Sequence, residues 1–316
     1  MTAQTAPGPA VKRLAVIGCG LIGSSVIRAT RAKAAAATIA VYDLSPAVRE
    51  RVVALGLADA VFDDPAKAVA GADLVIFATP PGVIGVVAAQ AAGGFAPGAI
   101  ISDVGSVKAA VGEALRAACP DTVFVVPGHP IAGTEQSGPD AGLAGLFENR
   151  FTILCPQEDR TDAPYLAAVE KLTAFWTALG AKVETMDEKH HDLVLAVTSH
   201  LPHLIAYNIV GTADDLQNVT QGEVIKYSAG GFRDFTRIAA SDPVMWRDVF
   251  LLNKDAVLEI LGRFTEDLQA LSRAIRWGEG DKLEALFTRT RSIRREVIDA
   301  GQESATPNFG RDKREG

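Results

Sequence analysis

Cysteine is scarce in this chain. Cys19, Cys119 and Cys155 are the only three in 316 residues, they lie far apart, and none forms a Cys-x-x-Cys pair. That excludes a disulfide framework and a thiolate zinc site, and a reducing, cytoplasmic setting is expected. A basic excess is also missing: 31 Lys and Arg stand against 38 Asp and Glu, for a net charge of -7. A nucleic-acid scaffold needs a basic face, so no nucleic-acid partner is expected. Residues 1–10 lack the charged segment and apolar run of a secretory leader. One uncharged run, Leu74 to Ser102, has the length of a membrane span, but Pro80, Pro81, Pro97 and five glycines interrupt it. Such punctuation reads as strand, loop, helix, turn and strand, and no membrane partner is expected. With 48% hydrophobic and 22% charged residues, extended disorder is excluded as well.

What is present fits two domains, each with its own core. Short apolar runs read as strands at Arg13–Ile17, Thr38–Tyr42, Leu74–Ala78, Ile100–Asp103, Thr122–Val126, Phe151–Cys155 and Lys182–Thr185. Helical segments lie between them, among them Ser24–Lys33 and Tyr165–Leu179. Strands alternating with helices predict a parallel sheet covered on both faces. The strand pattern stops near Met186, and from Asp187 the chain reads as wholly helical. The expected organisation is a Rossmann-type α/β domain over 11–186, an all-α domain over 187–300, and flexible tails at 1–10 and 301–316. Asp242-Pro243 predicts a helix start, and the helix is expected to run to Trp277, where Gly278 and Gly280 stop it. Within it Val257, Leu261, Phe264, Leu268, Leu271 and Ile275 recur at spacings of four and three. That seam fits packing inside one subunit or a homodimer interface.

Gly18-Cys19-Gly20-Leu21-Ile22-Gly23 matches G-x-G-x-x-G directly after a strand and before a helix. Gly18 serves the tight turn, Gly20 the approach of backbone to a pyrophosphate, and Gly23 close helix–strand packing. The helix N-terminus offers unpaired N–H groups and a positive dipole end to the anion. Asp43 closes the second strand 20 residues past Gly23, where a carboxylate receives the ribose hydroxyls and repels a 2′-phosphate. Leu44 and Ser45 supply no cation and Arg49 lies a turn further on, so NAD is expected rather than NADP.

Three segments are more polar than a plain fold requires. Ser102–Lys108 follows the carboxyl end of a strand, where ligands collect in open α/β sheets; Ser106 or Asp103 would serve equally as a helix cap. Pro127–Gly138 reads as a long loop carrying His129, Thr134, Glu135 and Ser137. His129, near a nicotinamide, suits a general base because neutral imidazole titrates near working pH. The third, Gly230 to Trp246, contains Arg233, Arg237 and Trp246. His200 and His203 share one helix face, with Pro202 between them predicting a kink. No third ligand accompanies that pair, so no metal is expected.

The motifs GCGLIGSS, SDVGSVK, GHPIAGTEQSG, SHLPHL and GGFRDFTRIAASDPVMWRD together resemble the prephenate/arogenate dehydrogenase family of tyrosine biosynthesis, in the same order from about Leu14 onward. The resemblance implies oxidation of a cyclohexadienyl alcohol with loss of carbon dioxide, without a metal. It implies His129 as the base for the ring hydroxyl and Ser106 as the group orienting His129 and that hydroxyl. Arg237 is implied as the partner of a substrate carboxylate, His203 as a positioning group, and Thr134 and Glu135 as residues at the side-chain end. Trp246 is a candidate wall for the ring. Neither a chorismate mutase nor a regulatory domain is read, and a dual-substrate enzyme is expected. Two alternatives stay open: a β-hydroxyacid dehydrogenase, whose Lys base would have to be Lys189, Lys226 or Lys254, and a non-catalytic NAD(H) sensor.

Overall fold

The computed structural model describes residues 11–216 and 230–297; the expected tails and Lys226 lie outside them. Six strands form the main sheet: β1 (Val11–Ile17), β2 (Ala36–Tyr42), β3 (Ala60–Phe62), β4 (Leu74–Phe77), β5 (Ile100–Asp103) and β6 (Phe124–Val125). Their order is β3-β2-β1-β4-β5-β6 and every neighbouring pair is parallel, the doubly wound arrangement. Alternate residues face opposite sides and both sides are apolar, as a sheet covered on two faces demands. Leu14, Val16, Ile39, Val41, Leu74 and Ile76 enter one core, and Ala15, Ile17, Tyr42, Val75 and Phe77 the other. The edge strand β3 went unread in the sequence because it is three half-buried residues long.

Helices α1 (Leu21–Ala32), α2 (Pro46–Ala54), α3 (Pro65–Val69), α4 (Ile84–Ala91) and α5 (Ala109–Ala118) connect these strands. A second sheet then departs from the expected single one. β7 (Gly128–Pro130) pairs antiparallel with β8 (Phe151–Leu154), and β8 pairs parallel with β9 (Lys182–Thr185) across α6 (Ala163–Ala178). The segment read as a long loop therefore starts as a strand. Pro130 is tolerated there because β7 lies at the sheet edge, where a missing N–H costs no ladder bond.

After β9 the described chain is helical: α7 (Glu188–Leu195), α8 (Leu201–Asp215), α9 (Gly230–Thr236), α10 (Pro243–Leu252), α11 (Lys254–Arg276) and α12 (Gly280–Val297). A π-helical turn, Ala196–His200, separates α7 from α8 just before Pro202, which places the expected distortion one turn earlier than the proline itself. Asp242 caps α10 by accepting from Met245 N, with Pro243 in the first turn. The helix expected to run on to Trp277 breaks at Asn253. That side chain is buried and committed to Asp192 and His200, a tertiary cause that no local signal carries.

The packing divides after Val257 into two compact units. In the second, Leu268 and Ile275 of the seam are 48% and 68% exposed, and Trp277 75%. In the first, Glu188–Asp215 has the length and composition to cross a membrane. Its inner side carries the buried polar residues His191, Asp192 and His200, which wall the site described next.

Candidate active site

The glycine turn is shaped by contacts a side chain would destroy. Gly18 has φ +96, and a Cβ there would lie 2.7 Å from the Ala78 carbonyl oxygen. At Gly23 it would lie 2.1 Å from the Gly18 carbonyl oxygen, while at Gly20 it would meet nothing within 4 Å. The first two positions thus seat α1 against the turn and the third leaves open space above the helix N-terminus. No side chain caps α1, so the N–H groups of Leu21 and Ile22 remain available to an anion. Asp43 accepts from Cys19 N at 2.8 Å and from Ser45 N at 2.9 Å, and a carboxylate retains further lone pairs for hydroxyl donors. Arg49 folds back onto the Asp43 and Leu44 carbonyls, at 2.8 and 3.0 Å. The turn, the open side and the acid fit a dinucleotide.

The loop beyond β7 is pinned onto α1. Leu143 N donates to Ser25 Oγ at 3.0 Å, and Arg28 Nη2 donates to the Pro139 carbonyl at 3.3 Å. Gly128 bonds Asp103 at the carboxyl end of β5, so His129 lies at the end of the parallel sheet where β1 leads into the nucleotide turn. Asp103 and Lys108 set the height of His129. Both are wholly buried and form an ion pair. Lys108 Nζ also donates to the Gly128 carbonyl at 2.6 Å, and Gly128 N donates to Asp103 at 3.2 Å. The pair clamps both backbone polar groups of the residue preceding His129. Neither Ser106 nor Asp103 caps α5. Asp192 does so from α7, accepting from Lys108 N at 2.7 Å and Ala109 N at 3.0 Å, where the helix dipole favours an anion.

His129 Nδ1 lies 2.9 Å from His191 Nε2, and His191 Nδ1 lies 2.9 Å from Asp192 Oδ1. His129 Nε2 has no hydrogen-bond partner among the described residues. Ser106, half-buried, makes no side-chain hydrogen bond there either; among the described residues the side-chain hydrogen-bond partner of His129 is His191. His200 Nδ1 meets Asn253 Nδ2 at 3.1 Å, and His203 stacks on Trp246 with centroids 3.6 Å apart. Arg237 pairs with Glu135 at 2.9 Å, both partly exposed, and Thr134 is exposed beside them. Lys189 and Lys254 are exposed; among the described residues the buried lysine is Lys108. Among the described residues no group of His, Cys, Asp and Glu is placed to hold a metal ion. Sequence reasoning missed His191, Asp192, Asn253 and the use of Lys108. An adjacent His-Asp pair just past the last strand was the one local signal available.

Burial pushes the pKa of His129 well down, with His191, Lys108 and His200 adding to the effect. His191 and His203 are lowered chiefly by burial too, and His200 falls to about 4. These rings are neutral at neutral pH. Unfolded, each titrates near 6.5, so between the folded and unfolded values the unfolded chain binds more protons. Their contribution is complete above the unfolded value and is lost as pH falls below it. His200 alone accounts for about 3 kcal/mol across that window. Urea midpoints should drop between about pH 7 and about pH 5.5, before most carboxylates titrate; an unchanged midpoint would contradict these assignments.

A dinucleotide turn sharing a sheet end with a neutral, unpaired imidazole nitrogen is the arrangement of a dehydrogenase. Comparison with known proteins is specific. Residues 26–185 match the family model "Prephenate dehydrogenase, nucleotide-binding domain" and 187–289 match "Prephenate dehydrogenase, dimerization domain". The chain belongs to the prephenate dehydrogenase family. It is 43% identical to the cyclohexadienyl dehydrogenase of Zymomonas mobilis over 90% of this chain and 95% of that one. With the prephenate dehydrogenase of Bacillus subtilis it shares 35% identity over 92% and 77%. Among solved structures it resembles the prephenate dehydrogenase from A. aeolicus in complex with hydroxyphenyl propionate and NAD+. There the TM-score is 0.83 at 31% identity, covering 90% of this chain and 98% of that one.

Proposed function

We propose that this chain carries out the NAD-dependent oxidative decarboxylation of prephenate, arogenate or both, giving 4-hydroxyphenylpyruvate or tyrosine. The observation that carries the reading is His129, held neutral with Nε2 unpaired at the sheet end that bears the dinucleotide turn. NAD, when bound, supplies the hydride acceptor. Gly18, Gly20 and Gly23 shape its seat, Leu21 and Ile22 offer backbone N–H groups to its pyrophosphate, and Asp43 receives its ribose hydroxyls. His129 Nε2 takes the proton from the ring hydroxyl as hydride leaves the same carbon. The ring carboxylate departs as carbon dioxide, driven by aromatisation; its electron pair passes through the ring to the oxygen, which regains the proton from His129, so the residues have no carbanion to stabilise.

With Nδ1 of His129 engaged by His191, Ser106 acts on the hydroxyl side. Arg237 holds a substrate carboxylate with its planar fork, and Glu135 is the anion it exchanges. His203, stacked on Trp246, positions the ring, and Thr134 lies at the side-chain end. Helices of the matched dimerisation region join two copies, which fits the exposed seam residues Leu268 and Ile275. A cytoplasmic location fits three free cysteines.

Arg237→Gln should raise the KM for the cyclohexadienyl acid about ten- to hundredfold, the worth of a charge-assisted hydrogen bond, with a smaller change in kcat. An unchanged KM would move carboxylate recognition elsewhere. The reaction itself is tested by following NADH fluorescence with prephenate and arogenate separately. Turnover is expected with at least one, and the ratio of specificity constants names the preferred substrate. Absence of turnover with both, while NADH still binds, would favour a sensor.

A further inference from the structure

His129 has two ring nitrogens, and when neutral only one carries a lone pair. The surrounding hydrogen bonds decide which. Asp192 accepts the backbone N–H groups of Lys108 and Ala109 at the α5 N-terminus, one on each carboxylate oxygen, so both of its oxygens serve as acceptors. His191 Nδ1, 2.9 Å from Asp192 Oδ1, must therefore be the donor. His191 is buried and neutral, so its Nε2 is bare and can only accept. The 2.9 Å contact to His129 Nδ1 then requires that His129 Nδ1 carry the proton.

We infer that His191 and Asp192 form a positioning pair that fixes the tautomer of His129, presenting the Nε2 lone pair toward the substrate. This rests on the proposed reaction for its kinetic consequence but not for its geometry. A neutral histidine side chain in water favours the opposite, Nε2–H tautomer, which has no lone pair to offer at that position. When Nε2 takes the substrate proton, Nδ1–H stays directed at His191, whose ring is polarised by Asp192. The imidazolium is thereby stabilised, and no further proton has to leave the site. Among the described residues the other charged or titratable groups acting on His129 are Lys108, at the start of α5 and paired with Asp103 at the end of β5, and His200 from the π-helical turn. None of these contacts Nδ1, so the tautomer depends on His191. The logic is that of an Asp-His pair orienting a base, with a second imidazole between carboxylate and base.

The test is nitrogen NMR of histidine-labelled protein at neutral pH without substrate, with His129 assigned by its loss in His129→Asn. The wild type should show a pyrrole-like Nδ1 and a pyridine-like Nε2 at His129. His191→Phe removes the acceptor and should move His129 toward Nε2–H. His191→Gln keeps an acceptor oxygen and should restore the wild-type pattern, and it covers the case in which the Phe variant fails to fold. By kinetics, His191→Phe should lower kcat by on the order of 10 to 10³ with KM nearly unchanged, and Gln should recover most of the loss. An Nε2–H tautomer in the wild type, or a folded His191→Phe with unchanged kcat, would overturn the inference. A wild type with Nδ1–H that turns over neither acid would overturn the reaction alone and leave the tautomer assignment standing.

Discussion

His129→Asn is expected to lower kcat by on the order of 10² to 10⁴ while leaving the KM for the cyclohexadienyl acid and the affinity for NADH close to wild type. Asparagine occupies the same place in the middle of β7 and can still bond His191, so the fold around Gly128 survives. What it lacks is a nitrogen lone pair able to carry a proton. No hydrogen bond links the glycine turn or Asp43 to His129, which is why cofactor binding should be spared. The pH profile makes the assignment stricter. Burial lowers the His129 pKa below its ordinary value, so the acid limb of wild-type kcat/KM should fall at a pH below 6.5. That limb should vanish from the residual activity of the variant. Near wild-type turnover would mean that another group is the base.

Lys108→Met should be the most damaging change to stability near the site. The side chain is wholly buried and touches the Asp103 carboxylate and the Gly128 carbonyl. Methionine matches its length but strands Asp103 as a buried charge with only two backbone donors, Gly105 N and Gly128 N. Breaking a buried pair from one side costs about 3–5 kcal/mol. Urea unfolding should show that loss, and kcat should fall as well, because Gly128 no longer anchors His129. Removing both partners in Asp103→Leu/Lys108→Met should return much of the stability, since the cost is the unpaired charge. A single variant within about 1 kcal/mol of wild type would show that the ion pair is not what holds this strand.

How much of this was legible in the sequence depended on how local its causes are. The dinucleotide turn is written into a few adjacent residues, because Gly18 needs a positive φ and Gly23 a close approach to the Gly18 carbonyl. The buried strands of the main sheet were readable from their length and apolar content for the same reason. β7 was hidden: three residues ending in proline show no period of two. The break at Asn253 was hidden as well, since no glycine or proline marks it and its cause is a side chain bonded to Asp192 and His200, 61 and 53 positions away. The partner of His129 Nδ1 lies 62 positions along the chain, and the partner of Arg237 lies 102. A motif could single out His129 and Arg237, but which groups hold them is decided by the packing of α7 against α5 and by the loop after β7.

The most direct test of the account is the stoichiometry of the reaction. Purified protein, NAD and whichever of prephenate or arogenate it turns over should yield NADH and carbon dioxide in equal amounts, with a phenolic product absorbing in place of the cyclohexadiene. NADH without carbon dioxide would indicate a plain alcohol oxidation and contradict the assignment of aromatisation as the driving force. NADH binding with no turnover of either acid would contradict the reaction altogether.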